Sequence, residues 1–114
     1  MGDTDAERFL PLHPLEFRIL LALTQGSSYG TRIVEHIEAA EGDRRTLYPA
    51  NLFRRIRDLS ARGLVEEAPS PEGADPRRTY VQLTELGRTV ARAEAVRLRD
   101  LVTEAASHDL LPER

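Results

Sequence analysis

Thr46-Leu47-Tyr48-Pro49-Ala50-Asn51-Leu52-Phe53-Arg54-Arg55-Ile56-Arg57-Asp58-Leu59-Ser60-Ala61-Arg62-Gly63-Leu64-Val65 is the stretch whose reading decides the fold. It spells one short helix with a start, a stop and two chemically different faces. Pro49 suits a first helical position, where its missing N–H is not needed. Gly63 suits the position just past the helix end, with Leu64 placed to fold back on the last turn. Leu52, Ile56 and Leu59 recur at helical spacing, and Phe53 widens that stripe. At about 100° per residue, Asn51, Arg54 and Asp58 fall roughly opposite it, with Arg55 and Arg57 on the flanks. A helix buried on one face and offering Asn and Arg on the other has the chemistry of a DNA recognition helix. Arg pairs with guanine edges or phosphates, and Asn with adenine.

Outward from this helix the pattern stays legible. Pro14 opens an earlier helix to about Thr24, with Leu15, Phe17, Ile19, Leu20, Leu21 and Leu23 leaving it little polar face. Gln25-Gly26-Ser27-Ser28 is a stop followed by a start, with Ser27 or Ser28 as N-cap. A second helix follows from about Tyr29 to Glu41, striped by Tyr29, Ile33, Ile37 and Ala40 and ended by Gly42. The turn Asp43-Arg44-Arg45-Thr46 then leads into the helix quoted above. Beyond Gly63 the period becomes extended. Residues 64–68 and 77–83 read as two strands around the turn-rich Pro69–Pro76. Thr84 caps a long final helix to about Ala106, striped by Leu86, Val90, Ala93, Val96, Leu101 and Val102, with Arg97 interrupting the seam. Residues 1–12 are expected to form a loosely ordered arm, although Phe9, Leu10 and Leu12 are too apolar for a purely solvated tail.

Three helices, a hairpin and a long helix make the chain mainly α with a small β-hairpin wing. This is a winged helix-turn-helix plus a long C-terminal helix. The expected division is a winged helix-turn-helix DNA-binding domain over 1–83 and a dimerisation helix with a short tail over 84–114. A helix this long, amphipathic and protruding from a small domain stays exposed unless it packs on something. The same helix of a second copy satisfies both chains; the alternative is packing back onto its own domain. Leu86, Val90, Ala93, Arg97 and Leu101 are the expected dimer seam.

The net charge is −3, which by itself argues against a nucleic-acid partner. The distribution argues otherwise. Residues 1–43 hold three Arg and eight acids, net −5; residues 44–78 hold eight Arg and five acids, net +3; the remainder is net −1. Local sign governs a phosphate-facing surface. All sixteen basic residues are Arg, each a planar donor able to make paired bonds. Arg44, Arg45, Tyr48, Asn51, Arg54 and Arg55, with Arg77 and Arg78 at the wing, are therefore the candidate DNA contacts. Asp58 is placed to restrain Arg54 as an i,i+4 pair.

Other chemistries find no support. Cysteine is absent, which excludes disulfides and thiol catalysis. His13, His36 and His108 are far apart and lack ligand partners at metal spacing, so neither a metal site nor a cofactor is expected. Ser27 and Ser28 have no base placed to suggest a triad, and Gly26 and Gly30 lack the Lys and strand context of a phosphate-binding loop. The chain is not expected to be an enzyme. No apolar run approaches the roughly 20 residues of a membrane span. The acidic N-terminus lacks the basic-then-apolar order of a signal peptide. A cytoplasmic location is expected.

Several segments together resemble the PadR-like family of bacterial transcriptional regulators, in its short type with a single C-terminal dimerisation helix. Glu16 through Leu23, then Gly26 and Ser28-Tyr29-Gly30, are similar to that family's opening helix and Tyr-Gly turn. Thr46 through Arg54 is similar to its Pro-Gly-Thr-Leu-Tyr recognition-helix start, with Ala50, Asn51 and Phe53 in place of its usual Gly, Thr and Tyr. Leu59 through Glu66 and Arg77 through Arg88 match its wing junction, second wing strand and final-helix start. The resemblance spans roughly residues 12–106. It implies a homodimer on double-stranded DNA, repressing transcription from a palindromic operator. In some members a small aromatic effector binds between subunits; this chain has no Trp to stack on one. The alternative is a winged-helix module that binds an acidic protein surface and no DNA.

Overall fold

The computed structural model describes residues 2–42 and 49–112. The elements are α1 (Gly2–Glu7), α2 (Pro14–Ala22), β1 (Ser28–Tyr29), α3 (Gly30–Glu41), α4 (Pro49–Ala61), β2 (Val65–Ala68), β3 (Tyr80–Leu83) and α5 (Glu85–Ser107). Helices α2, α3 and α4 enclose a core of Ile19, Leu20, Leu23, Ile33, Ile37, Leu52 and Leu59, all buried. The sheet closes it, with Leu64 and Val65 buried where α4 passes into β2. The arrangement is the expected winged helix: mainly helical, with a small antiparallel sheet and a long last helix.

Local chemistry sets most element ends. Gly63 takes φ +78. Gly63 N–H donates to Ser60 O at 3.0 Å and Leu64 N–H to Leu59 O at 2.9 Å. That pair of bonds is the Schellman closure expected of Gly63-Leu64. Thr84 caps α5 by accepting from Gly87 N–H at 2.9 Å, and its own hydroxyl donates to Gly63 O at 2.6 Å. Thr84 N–H also donates to Leu64 O. A Cβ on Gly87 would run into that same carbonyl oxygen. The exit of α4 and the entry of α5 thus form one knot.

Four expectations need correction. First, Ser27 and Ser28 do not cap α3. Ser28 and Tyr29 form a third strand, β1, pairing antiparallel with β3 so that Ser28 faces Val81 and Tyr29 faces Tyr80. β3 is thereby central, with β2 on its other edge from Val65 opposite Leu83 to Ala68 opposite Tyr80. A two-residue strand carries no alternation to detect.

Second, the N-terminal segment is not a loose arm. It contains α1, which packs on α5, with Ala6 and Leu12 fully or nearly buried and Phe9 and Leu10 packed against the core. Third, a boundary at 83 cuts through a core. The first turns of α5 bury Gly87, Val90, Ala91 and Glu94 within the chain. Fourth, the expected dimer seam is largely spent internally. Val90 has no exposed surface, and Leu86 and Ala93 pack against the same core. Arg97 pairs with Glu94, its Nε 2.6 Å from Oε1 and its Nη2 2.9 Å from Oε2. Only Leu101 of the five is exposed.

Glu94 is itself buried, and its Oε2 also accepts from Leu12 N–H at 3.1 Å. The Arg97 hydrogen bonds, with help from Leu12, hold its carboxyl below the ordinary carboxylate value against the opposing effect of burial. One carboxylate therefore fastens the N-terminal segment to α5.

Candidate nucleic-acid interface

α4 presents the face expected of it. Leu52 and Leu59 are buried beneath, and Asn51 and Arg54 are exposed. Both border a hollow shared with His13 and Arg18 at the start of α2. The expected Arg54–Asp58 pair does not form among the described residues. Arg44, Arg45 and Tyr48 lie outside the described residues.

Arg55 stands differently from the expectation. It turns inward, Nη1 lying 3.2 Å from Oε2 of Glu16 on α2. Arg62 Nη2 reaches the same oxygen at 2.5 Å. Glu16 is buried, and its Oε1 accepts from His13 N–H at 3.2 Å, while His13 Nδ1 accepts from Leu15 N–H at 3.0 Å. That is a capping box with His in the Ser/Thr place. The bond ties α4 to α2 through Nη1 of Arg55, whereas neither Asn51 nor Arg54 is held by an ion pair among the described residues. Sequence reasoning missed Glu16 because its partners lie 39 and 46 positions away.

On the wing flank the two arginines differ. Arg77 is bound to Asp75 through Nε at 3.2 Å, Nη2 at 2.9 Å and the backbone N–H at 2.9 Å. These bonds lower the Asp75 pKa and raise that of Arg77. Arg78 instead lays its guanidinium 4.2 Å from the Tyr29 ring centroid. Tyr29 is in turn steadied edge-on by buried Tyr80, centroids 5.2 Å apart. Phe53, half exposed, lies over Gly30, where any Cβ would strike its ring. Arg57, which the sequence placed on the flank without a role, is exposed beside it. Phe53 and Arg57 are one helical turn apart and share the edge of α4 nearest the wing, a spacing that could have flagged them.

Among the described residues no group of three or more His, Asp or Glu could hold a metal ion. No described helix is long and apolar enough to cross a membrane.

Comparison with known proteins agrees with this fold. A family model described as "Transcriptional regulator PadR-like family" matches residues 19–93. No curated protein matches significantly. Among solved structures, a PadR family transcription regulator from Clostridium difficile superposes with TM-score 0.72 at 18% identity, covering 84% of this chain and 98% of that one. Bacillus subtilis PadR in complex with operator DNA gives TM-score 0.65 at 17% identity, covering 75% of this chain and 49% of that one. The transcriptional regulator BldR from Sulfolobus solfataricus gives TM-score 0.69 at 24% identity, covering 93% and 69%.

Proposed function

Because the chain belongs to the PadR-like family of transcriptional regulators, a family of regulators and not of enzymes, we propose that it binds DNA sequence-specifically as a cytoplasmic homodimer and represses transcription from a palindromic operator. The observation that carries this reading is the exposed Asn51–Arg54 face of α4 beside a wing bearing Arg77 and Arg78. α4 enters a major groove and the wing follows the adjoining backbone. Arg–phosphate contacts supply most of the affinity, and Asn51 and Arg54 supply the preference for sequence.

The dimer is supported by where α5 outruns its own domain. The face that buries Gly87, Val90 and Glu94 continues, at helical spacing, through Leu98, Leu101, Val102 and Ala105. Leu101 and Val102 are 51% and 54% exposed, because no element among the described residues covers them. Beyond Glu94 the helix runs roughly 20 Å further. Leu21, 43% exposed on α2, adds apolar surface beside it. A second copy of α5 covers this stripe and sets two recognition helices about one helical turn of DNA apart, roughly 34 Å. An effector would act by binding one dimer geometry better than another.

Selection of bound sites from genomic DNA tests the reading. Enrichment of a two-fold symmetric site, lost on Arg54→Ala or Asn51→Ala while random-duplex binding persists, is expected. Indifference to sequence, or no salt-dependent DNA binding, refutes it and leaves an acidic protein surface as the partner.

A further inference from the structure

We infer that the cleft between α4 and the wing is a seat for a single DNA backbone phosphate, gripped by Arg57 and Arg78 and not by Arg77. This rests on the DNA-binding reading above and assigns the wing's contact within it. The cleft measures about 340 Å³ and is lined by Tyr29, Phe53, Ile56, Arg57, Arg78 and Val81, among others. Its floor is apolar and its rim cationic.

The three rim arginines are not equivalent. Arg77 already spends two guanidinium nitrogens and its backbone N–H on Asp75, so its charge is locally cancelled. A phosphate approaching Arg77 meets the Asp75 carboxylate beside it. Arg78 makes no direct ion pair among the described residues, and Asp75 acts on it only through space. Its guanidinium carbon sits 4.2 Å from the Tyr29 ring centroid, and its N–H donors make no side-chain hydrogen bond among the described residues. Tyr29 belongs to β1 and abuts buried Tyr80, which supports its ring. Arg57 comes to the same cleft from α4, likewise without an ion-pair partner among the described residues. One cation from the recognition helix and one from the wing thus converge on one anion. The bond to that anion would set the angle between the two elements.

Two measurements on the full chain test this. The first is the salt dependence of binding to a duplex for wild type, Arg57→Ala, Arg78→Ala, Arg77→Ala and Tyr29→Leu. Each neutralised phosphate contributes about 0.9 to the log–log salt slope. Arg57→Ala and Arg78→Ala should each lower the slope by up to that amount, and together by no more than one such step, since they share one phosphate. Arg77→Ala should leave the slope nearly unchanged. Tyr29→Leu should weaken binding at constant slope, because the charge count is kept and only the orientation of Arg78 is lost. A slope that falls with Arg77→Ala, or one that ignores the combined Arg57→Ala and Arg78→Ala change, overturns the assignment while leaving DNA binding intact.

The second measurement uses inorganic pyrophosphate with the arginine Nε–Hε resonances as the probe, and needs no DNA. Saturable shifts at Arg57 and Arg78 exceeding those at Arg77 are expected. Such shifts in a protein that binds no duplex would keep the anion seat and remove the DNA reading. Shifts led by Arg77, or no saturable shift at all, would overturn the seat.

Discussion

Removing the two arginines that share Glu16 should cost more than the sum of removing each. Arg55 and Arg62 meet one Glu16 oxygen, and the Glu16 side chain is only 7% exposed. Arg55→Ala leaves Arg62 in place, and the reverse holds too, so each single change removes one charge-assisted bond. With Arg side chains 23% and 35% exposed, solvent screens part of each bond, and about 1 kcal/mol apiece is expected. The double variant strands a buried carboxylate that has only the His13 N–H left. Breaking a fully buried pair costs about 3–5 kcal/mol. Partial exposure places this case near the lower end, about 3 kcal/mol. The excess over additivity is then about 1 kcal/mol, and the double variant should melt roughly 10 °C or more below wild type. Urea denaturation of all four proteins at one fixed concentration measures the cycle, since a dimer's apparent stability depends on concentration. Additivity within about 0.3 kcal/mol would refute a shared carboxylate. Arg55→Ala should also leave the selected DNA sequence unchanged; a shift in preference would make it a base reader.

Glu94 should make the fold acid-sensitive. Its carboxyl lies below the ordinary value of 4.5, chiefly through Arg97, so its contribution is complete above that value and fades as pH falls through the lowered one. Glu94→Gln should destabilise by about 1–3 kcal/mol at neutral pH and flatten the stability profile below pH 4.5, read by denaturation across pH. Gly87→Ala should cost about 2–3 kcal/mol or more, because the added methyl meets the Leu64 carbonyl and backbone gives way less readily than a side chain. Thermal melting reads this, and a neutral result would deny the tight crossing. Leu101→Arg, on the exposed continuation of α5, should shift the protein toward monomer in light scattering while leaving its circular dichroism intact; an unchanged dimer would place the interface elsewhere.

What could be read from the chain alone was whatever neighbours in sequence decide. Pro49, the Gly63-Leu64 closure and the Thr84 cap act within one helical turn, so their residue types sufficed to place the ends of α4 and the start of α5. The stripe of Leu52, Ile56 and Leu59 likewise fixed which side of α4 faces inward, and with it the exposure of Asn51 and Arg54. The three-helix, wing and long-helix order followed from those local signals.

The tertiary structure alone decided which of the many arginines are free. Sequence shows sixteen similar cations. Packing brings Glu16 to Arg55 and Arg62, Glu94 to Leu12 across 82 positions, and Tyr29 beneath Arg78. It also hides Val90 in its own domain and leaves Leu101 outside, although the two share one periodic stripe. Helical periodicity says that a face is apolar, but what covers it depends on where the other elements end. Charge behaves in the same way. The formal charge of an arginine is set by its chemistry, while its availability to a phosphate depends on the carboxylate or ring the fold places against it.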